Sequence, residues 1–437
     1  MAIPPNIVGI LAFLLLFILI IFNMPIAFAF VSVGFLGLWY LFGLQSALVN
    51  LSLNVWEITS NYILLTLPLF MLMGQFANHS GIGPDLYNTA LKWWGKLPGG
   101  LALTTVWGCA AFSAVTGSST AGVLTFTPIA YQPMLDLKYD KRVASGSITA
   151  GATMGVLIPP STAFILYGVM TNVSLGRLFI AGIMPGILEA VLYSITILLI
   201  TGLNLQSGPA GPGSSWKDKF LSLRKTWGML AIFLLVIGGI YLGVFTPTEA
   251  AAIGAAGTFV ILLFRNGFNS RLIALSIKGA LQTSGMILLI ILCALIFSDV
   301  LVVSGLSKWA VDIITAAGVH PYIALTFAII LMFGFGCVMP ATPMILLFTP
   351  LLYPIFVVSL GFDAIWFGVI MVVMVELGLI TPPIGMNLFA FKSLAGEETS
   401  MSDIYYGVIP YLLADIFRLV LLIAFPIISL WLPSRMF

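Results

Sequence analysis

The chain has 437 residues, of which 60% are apolar and 7% charged, and its mean hydropathy is +1.14. Soluble domains carry about 25% charged residues, so this composition excludes one and defines an all-α polytopic membrane protein. A net charge of +2 gives no reason to expect a nucleic-acid partner, and the two histidines and three cysteines (Cys109, Cys293, Cys337) show no metal-ligand or redox spacing.

A spanning helix needs roughly 20 apolar residues. Asn6–Phe22 and Pro25–Phe42 are the first two spans, and Met1–Pro5 shows no basic stretch of the kind that opens a cleaved leader. Gln45–Asn54 reads as a polar loop, and Tyr62–Ala77 as the core of a third span. Lys92-Trp-Trp-Gly-Lys96 lies in an interfacial stretch, Asn78–Gly100. Leu101–Pro133 is apolar but interrupted by Ser113 and by Thr116–Thr120, which predicts a re-entrant hairpin with its tip at Gly117–Ser119. Val143–Thr171 is a span broken at Pro159-Pro160, and Arg177–Leu203 is another. The Gly/Pro/Ser-rich, then basic, segment Asn204–Thr226 joins two halves.

The second half repeats this order. Trp227–Val244, Ala250–Phe264 and Gly279–Val303 are spans, and Ser304–Pro321 is interfacial. Tyr322–Val358 is a second hairpin with its tip near Pro340–Pro343. Ala364–Lys392 is a second broken span, and Tyr405–Leu432 closes the chain. Phe126-Thr-Pro128 recurs as Phe348-Thr-Pro350 at an offset of 222 (349 − 127), Ile158-Pro-Pro160 matches Thr381-Pro-Pro383 at 223 (382 − 159), and Ser80-Gly81 matches Ser304-Gly305 at 224 (304 − 80). A nearly constant offset marks an internal repeat. Lysines and arginines flank the first hairpin (Lys92, Lys96, Lys138, Lys141, Arg142), whereas 316–321 and 358–363 hold none. Basic loops are cytoplasmic, so the hairpins enter from opposite sides, and ten full crossings place both termini outside. Inverted repeats with broken helices describe a secondary transporter.

Non-helical backbone at membrane depth persists only where it is buried in protein or lines a cavity. The breaks free carbonyls and amides, and they carry hydroxyls at Ser113, Ser118, Ser119, Thr120, Thr342 and Thr381. Carbonyls and hydroxyls suit a small hard cation such as sodium, and helix amino ends suit an anion. Each hairpin tip is therefore expected to meet its broken span around one sodium ion, with an organic anion between the two near Thr116, Ser119, Pro340, Thr342 and Asn387. The plainer alternative is that these hydroxyls only bond their own helices, which is less economical for four clusters in repeat-related pairs. Glu376, five residues before Thr381, is a functional candidate as an intramembrane carboxylate, open to protonation, pairing or bonding to the break. Asp299 and Glu189 read as packing partners.

The motifs Leu97-Pro-Gly-Gly100, Thr116-Gly-Ser-Ser119, Gly155-Val-Leu-Ile-Pro-Pro160, Pro340-Ala-Thr342 and Glu376-Leu-Gly-Leu-Ile-Thr-Pro-Pro383 together resemble the large membrane subunit of tripartite ATP-independent periplasmic (TRAP) transporters, of DctM/SiaM type, over essentially the whole chain. The resemblance implies sodium-driven uptake of an organic acid, a carboxylate or sulfonate, by an elevator mechanism in the bacterial inner membrane. It implies two partners besides membrane lipids, a small DctQ-type membrane subunit and a DctP-type periplasmic binding protein, and no enzymatic activity or cofactor beyond the coupling ions. Carried over, a first sodium site involves Ser113, Ser118, Ser119, Gly155, Ile158 and Pro160, and a second involves Gly336, Thr342, Gly378, Thr381 and Ile384. The moving segments would be 92–175 and 316–395, the scaffold 1–91, 176–203, 227–315 and 396–437, and the cytoplasmic linker 204–226. A stand-alone sodium/organic-anion symporter of the same architecture remains the alternative, and no P-loop supports ATP-driven transport.

Overall fold

The computed structural model describes residues 4–211, 213–397 and 399–436, and among these there are helices and connections but no strand. The first half runs α1 (Pro5–Ile21), α2 (Ile26–Phe42), α3 (Leu44–Ser60), α4 (Thr66–His79), α5 (Ile82–Trp94), α6 (Gly100–Thr116), α7 (Ser119–Phe126), α8 (Gln132–Asp136), α9 (Lys141–Gly151), α10 (Met154–Leu157), α11 (Thr162–Thr171) and α12 (Leu175–Leu203). The second runs α13 (Trp216–Tyr241), α14 (Pro247–Asn266), α15 (Ser270–Val303), α16 (Leu306–Ala316), α17 (Pro321–Gly336), α18 (Ala341–Tyr353), α19 (Ala364–Ile380), α20 (Met386–Ala395), α21 (Met401–Ala424) and α22 (Ile427–Leu430). Seven stretches among the described residues are long and apolar enough to cross a membrane, and α3 with α4, bent by 56°, makes an eighth. Helices α1 and α2, counted from sequence as crossings, are apolar but only 17 residues long.

The repeat is visible in local geometry. A wide π turn follows α7 at Thr127–Tyr131 and α18 at Pro354–Ser359. Both broken spans carry a cis Pro-Pro bond, at 159–160 and 382–383. Both begin on an aspartate that caps the first turn: Asp140 accepts from the Arg142 amide and Asp363 from those of Ile365 and Trp366, each at 2.9 Å. Such a cap satisfies amides that have no partner within the helix. Gly81 and Gly305 turn the chain with φ of 76° and 66°, in the left-handed region that glycine occupies without strain.

Three expectations are corrected. Residues 45–54 are not a loop: they lie in α3, where the Asn50 and Asn54 amides donate to Asp299 of α15, each at 2.8 Å. Their polarity satisfies a carboxylate rather than facing water. The linker ends early, because Ser215 and Asp218 form a capping box that starts α13 at Trp216. What remains of it is bonded down at the base of the first hairpin. The Gly99 amide donates to Gly208 O and the Gly211 amide to Gly95 O, both at 2.8 Å, and the Tyr139 hydroxyl donates to Pro209 O at 2.7 Å. Finally, α12 and α21, expected in the scaffold, pack against each other and against α9 and α19, inside the body that holds the hairpins.

The reason is a fully buried ion cluster. Arg418 of α21 pairs with Glu189 of α12, with Glu376 of α19 at 2.9 Å and with Asp415 one turn back at 3.2 Å. The Tyr193 hydroxyl of α12 donates to Asp415 at 2.6 Å. No side chain among these acids and Arg418 is more than 1% exposed. Removing one partner from such a cluster strands charge in a medium that solvates it poorly. Arg418→Met should therefore cost about 3–5 kcal/mol, read as a large drop in the melting temperature of the detergent-solubilised protein, while Lys308→Met, outside this cluster, leaves it unchanged.

Candidate functional site

Each hairpin tip is seated on a broken span, and glycines make the approach possible. A methyl group on Gly155 would lie 2.7 Å from the Ser118 carbonyl carbon, and one on Gly378 would lie 2.6 Å from Gly336 backbone. At Gly117, where φ is 60°, a side chain would strike Pro160 O. Two bonds close the contacts: the Thr162 hydroxyl donates to Gly117 O at 3.3 Å, and the Gly385 amide donates to Cys337 O at 3.2 Å.

Four helices end and four begin around these contacts. Helices α6, α10, α17 and α19 terminate at Thr116, Leu157, Gly336 and Ile380, directing carbonyls at the two junctions. Helices α7, α11, α18 and α20 start at Ser119, Thr162, Ala341 and Met386. The starting ends share one cavity of about 710 Å³, lined by Ser118, Ser119, Thr162, Pro340, Thr342 and Met386. Across it, α4 contributes Gln75 and Asn78 and α15 contributes Thr283. Among the described residues, none of those lining the cavity is charged. Its polarity comes from hydroxyls, amides and the positive ends of helix dipoles, which attract anions. The cavity runs from the tips along the returning arm of the first hairpin, past Thr125 and Pro128, to the turn at Gly81.

The sequence-predicted residues fall into three places. Ser118, Ser119, Gly155 and Pro160 meet at the first junction, with Ser113 one turn earlier in α6 and Ile158 directly after α10; Gly336 and Gly378 meet at the second, with Thr381 and Ile384 in the break between α19 and α20. Ser118 caps α7, accepting from the Ala121 amide at 3.3 Å. The Thr381 hydroxyl spends its proton on Leu377 O at 2.5 Å, leaving oxygen lone pairs available. Ser119, Pro340 and Thr342 line the shared cavity. Thr116 and Asn387 do not: Thr116 bonds back to Phe112 O at 3.1 Å, and Asn387 is buried, donating to Thr149 O at 3.3 Å. Thr162, Gln75 and Thr283 were not anticipated. Thr162 was visible as the second of two hydroxyls following Pro159-Pro160, whereas Gln75 and Thr283 carry no mark beyond polarity in an apolar run.

An inverted pair of re-entrant hairpins, each docked on a broken span around a central cavity, defines a membrane transport protein. The chain belongs to the family described as tripartite ATP-independent periplasmic transporter, DctM component, whose sequence model matches residues 13–428. It is 34% identical to the C4-dicarboxylate TRAP transporter large permease protein DctM of Pseudomonas aeruginosa, over 88% of this chain and 89% of that one. It is 28% identical to the sialic acid TRAP transporter large permease protein SiaM of Vibrio cholerae, over 94% and 95%. It is 30% identical to the isethionate TRAP transporter permease protein DctMQ of Oleidesulfovibrio alaskensis, over 81% of this chain and 56% of that longer one. Among solved structures the fold is similar to the YdaH transporter of Alcanivorax borkumensis, with a TM-score of 0.64 and 15% identity over 90% of this chain and 88% of that one.

The close glycine contacts set a test of the geometry. Gly155→Ala and Gly378→Ala should each overpack a junction at a cost of about 1–3 kcal/mol and depress transport. Gly334→Ala, with open space around its Cα, should leave both transport and melting temperature unchanged.

Proposed function

We propose that this chain is the permease subunit through which an organic acid, a carboxylate or sulfonate, enters the cell against its gradient, driven by sodium. The observation that carries the reading is the sorting of helix ends: carbonyl ends converge on the two hairpin junctions, and amino ends converge on the shared cavity. Carbonyls with Ser113, Ser118 and Ser119 would hold one sodium ion, and carbonyls with Thr342 and Thr381 the other. The anion would lie in the cavity against Ser119, Pro340 and Thr342, drawn by four helix amino ends rather than by an arginine. A bound cation beside each tip adds charge complementarity to the anion and orders the freed backbone.

The proposed setting is the bacterial inner membrane, with both termini periplasmic, a small DctQ-type membrane subunit alongside, and a DctP-type periplasmic binding protein delivering the substrate. The names of relatives, which include C4-dicarboxylate, sialic acid and isethionate transporters, support delivery of an organic acid. With the basic loops taken as cytoplasmic, the cavity opens inward. An elevator-type movement of the hairpin body past α4 and α15 would carry it outward, consistent with alternating access around a repeat-related site.

The test is uptake of labelled organic acids into proteoliposomes holding this chain and its small subunit, with and without the binding protein. Uptake should require both inward sodium and binding protein. Choline in place of sodium with no loss of uptake would end the sodium reading, and sodium-driven uptake without binding protein would point to a stand-alone symporter. Ser118→Ala and Thr381→Ala should each raise the half-saturating sodium concentration by about tenfold, equivalent to about 1.4 kcal/mol.

A further inference from the structure

The buried ion cluster joins corresponding positions of the two repeats. Thr153 and Glu376 correspond at an offset of 223 (376 − 153), within the same register as the two Pro-Pro breaks. Gly182 and Pro185 of α12 correspond to Gly407 and Pro410 of α21 at 225 (410 − 185), which pairs Tyr193 with Arg418 (418 − 193). The corresponding pairs touch in both halves: Thr153 with Tyr193 at 3.4 Å, and Glu376 with Arg418 at 2.9 Å. Glu189 and Asp415 then cross-brace them. Glu189 lies 3.0 Å from the Thr153 hydroxyl, which also lies 2.6 Å from Ala150 O, and its other oxygen meets Arg418. Asp415 accepts from Tyr193 and pairs with Arg418.

Each end of this chain of contacts is two residues from an ion-site glycine. Thr153 occupies the turn between α9 and α10, and Gly155 follows it at the first junction; Gly378 follows Glu376 at the second. The path from one junction to the other runs Thr153, Glu189, Arg418, Glu376, through side chains that are buried and held by directional charge-assisted bonds. The cluster does not reach the cavity or either tip. A packed ionic bridge of this kind has few arrangements, so a shift of the backbone at one end is transmitted rather than absorbed.

We infer that Thr153, Glu189, Arg418 and Glu376 couple the two cation sites, so that filling one positions the broken span of the other and the ions bind cooperatively. Thr153 is the positioning residue on the first side and Glu376 on the second. The inference rests on the sodium reading above. Coupling between two sites raises the Hill coefficient above one, with two as its limit.

The test is equilibrium sodium binding to the complex of this chain with its small subunit, read by calorimetry, with uptake and melting temperature measured in parallel. The wild type should give a Hill coefficient above one. Thr153→Val, which removes one hydroxyl and keeps the side-chain shape, should lower it to one while uptake at saturating sodium stays within about twofold, and Thr153→Ser should restore it. Thr153→Ala, which removes the same hydroxyl and sets no methyl against Glu189, is the second variant should Thr153→Val not fold, and it should flatten the curve in the same way. A residue that serves stability alone would lower the melting temperature without changing the steepness. A wild-type Hill coefficient of one, or a variant curve as steep as the wild type, overturns the coupling while leaving sodium-driven transport intact. Uptake indifferent to sodium in the wild type is the separate result that overturns the sodium reading itself.

Discussion

Backbone groups freed inside a membrane have no water to bond, and each one left unsatisfied costs several kcal/mol. Two hairpin tips and two broken spans place eight helix ends in the interior of this protein. None of them is tenable alone. The docking of each tip on its break, through Gly117 against Pro160 and Gly336 against Gly378, brings freed ends together and leaves the remainder facing one cavity. The glycines, the hydroxyl caps and the prolines all follow from that requirement. Function follows from the same fact, because ends that lack a protein partner are what an ion or an anion can bind.

The hairpin body needs a second constraint, since backbone contacts at the tips do not hold two separate repeats in register. The Arg418 cluster supplies it. Three carboxylates from α12, α19 and α21 converge on one guanidinium beneath the junctions, drawing in two helices that composition alone would leave with the scaffold. A hydrophobic seam of similar area would hold these helices together as strongly, yet with far less directional preference.

Much of this was legible in the sequence. The tips were marked by serine, threonine and proline interrupting apolar runs, and the repeat by an offset that stays between 222 and 224 from Ser80 to Pro160. Those signals are local, and so is the chemistry they report. What was not legible depends on contacts between distant residues. Arg418 sits in an apolar stretch, and its partners Glu189 and Glu376 are 229 and 42 residues away. Asp415, one turn back, is its local partner, but nothing beside it in sequence indicates the two distant ones. Asn50 and Asn54 read as loop for the same reason, since their partner Asp299 lies in the other half. Asn387 stands just past a break, where a substrate-facing amide was expected, but a helix start fixes only which residue comes first. Its rotation toward Thr149 O is set by the packing of α9.

The bonded linker breaks the symmetry that the repeat otherwise imposes. The chain enters the hairpin body at 95–99, leaves it at 204–211 and enters again at 317–320. The first two crossings lie side by side and are clasped by the Gly99–Gly208 and Gly211–Gly95 bonds, so they form a doubled strap. The third is a single thread through Gly318, whose φ is 62°. A body suspended in this way has one edge held by two bonded crossings and one held by a single connection. The two repeats, alike in their tips, are therefore tethered unequally, the first by two crossings bonded to each other and the second by one.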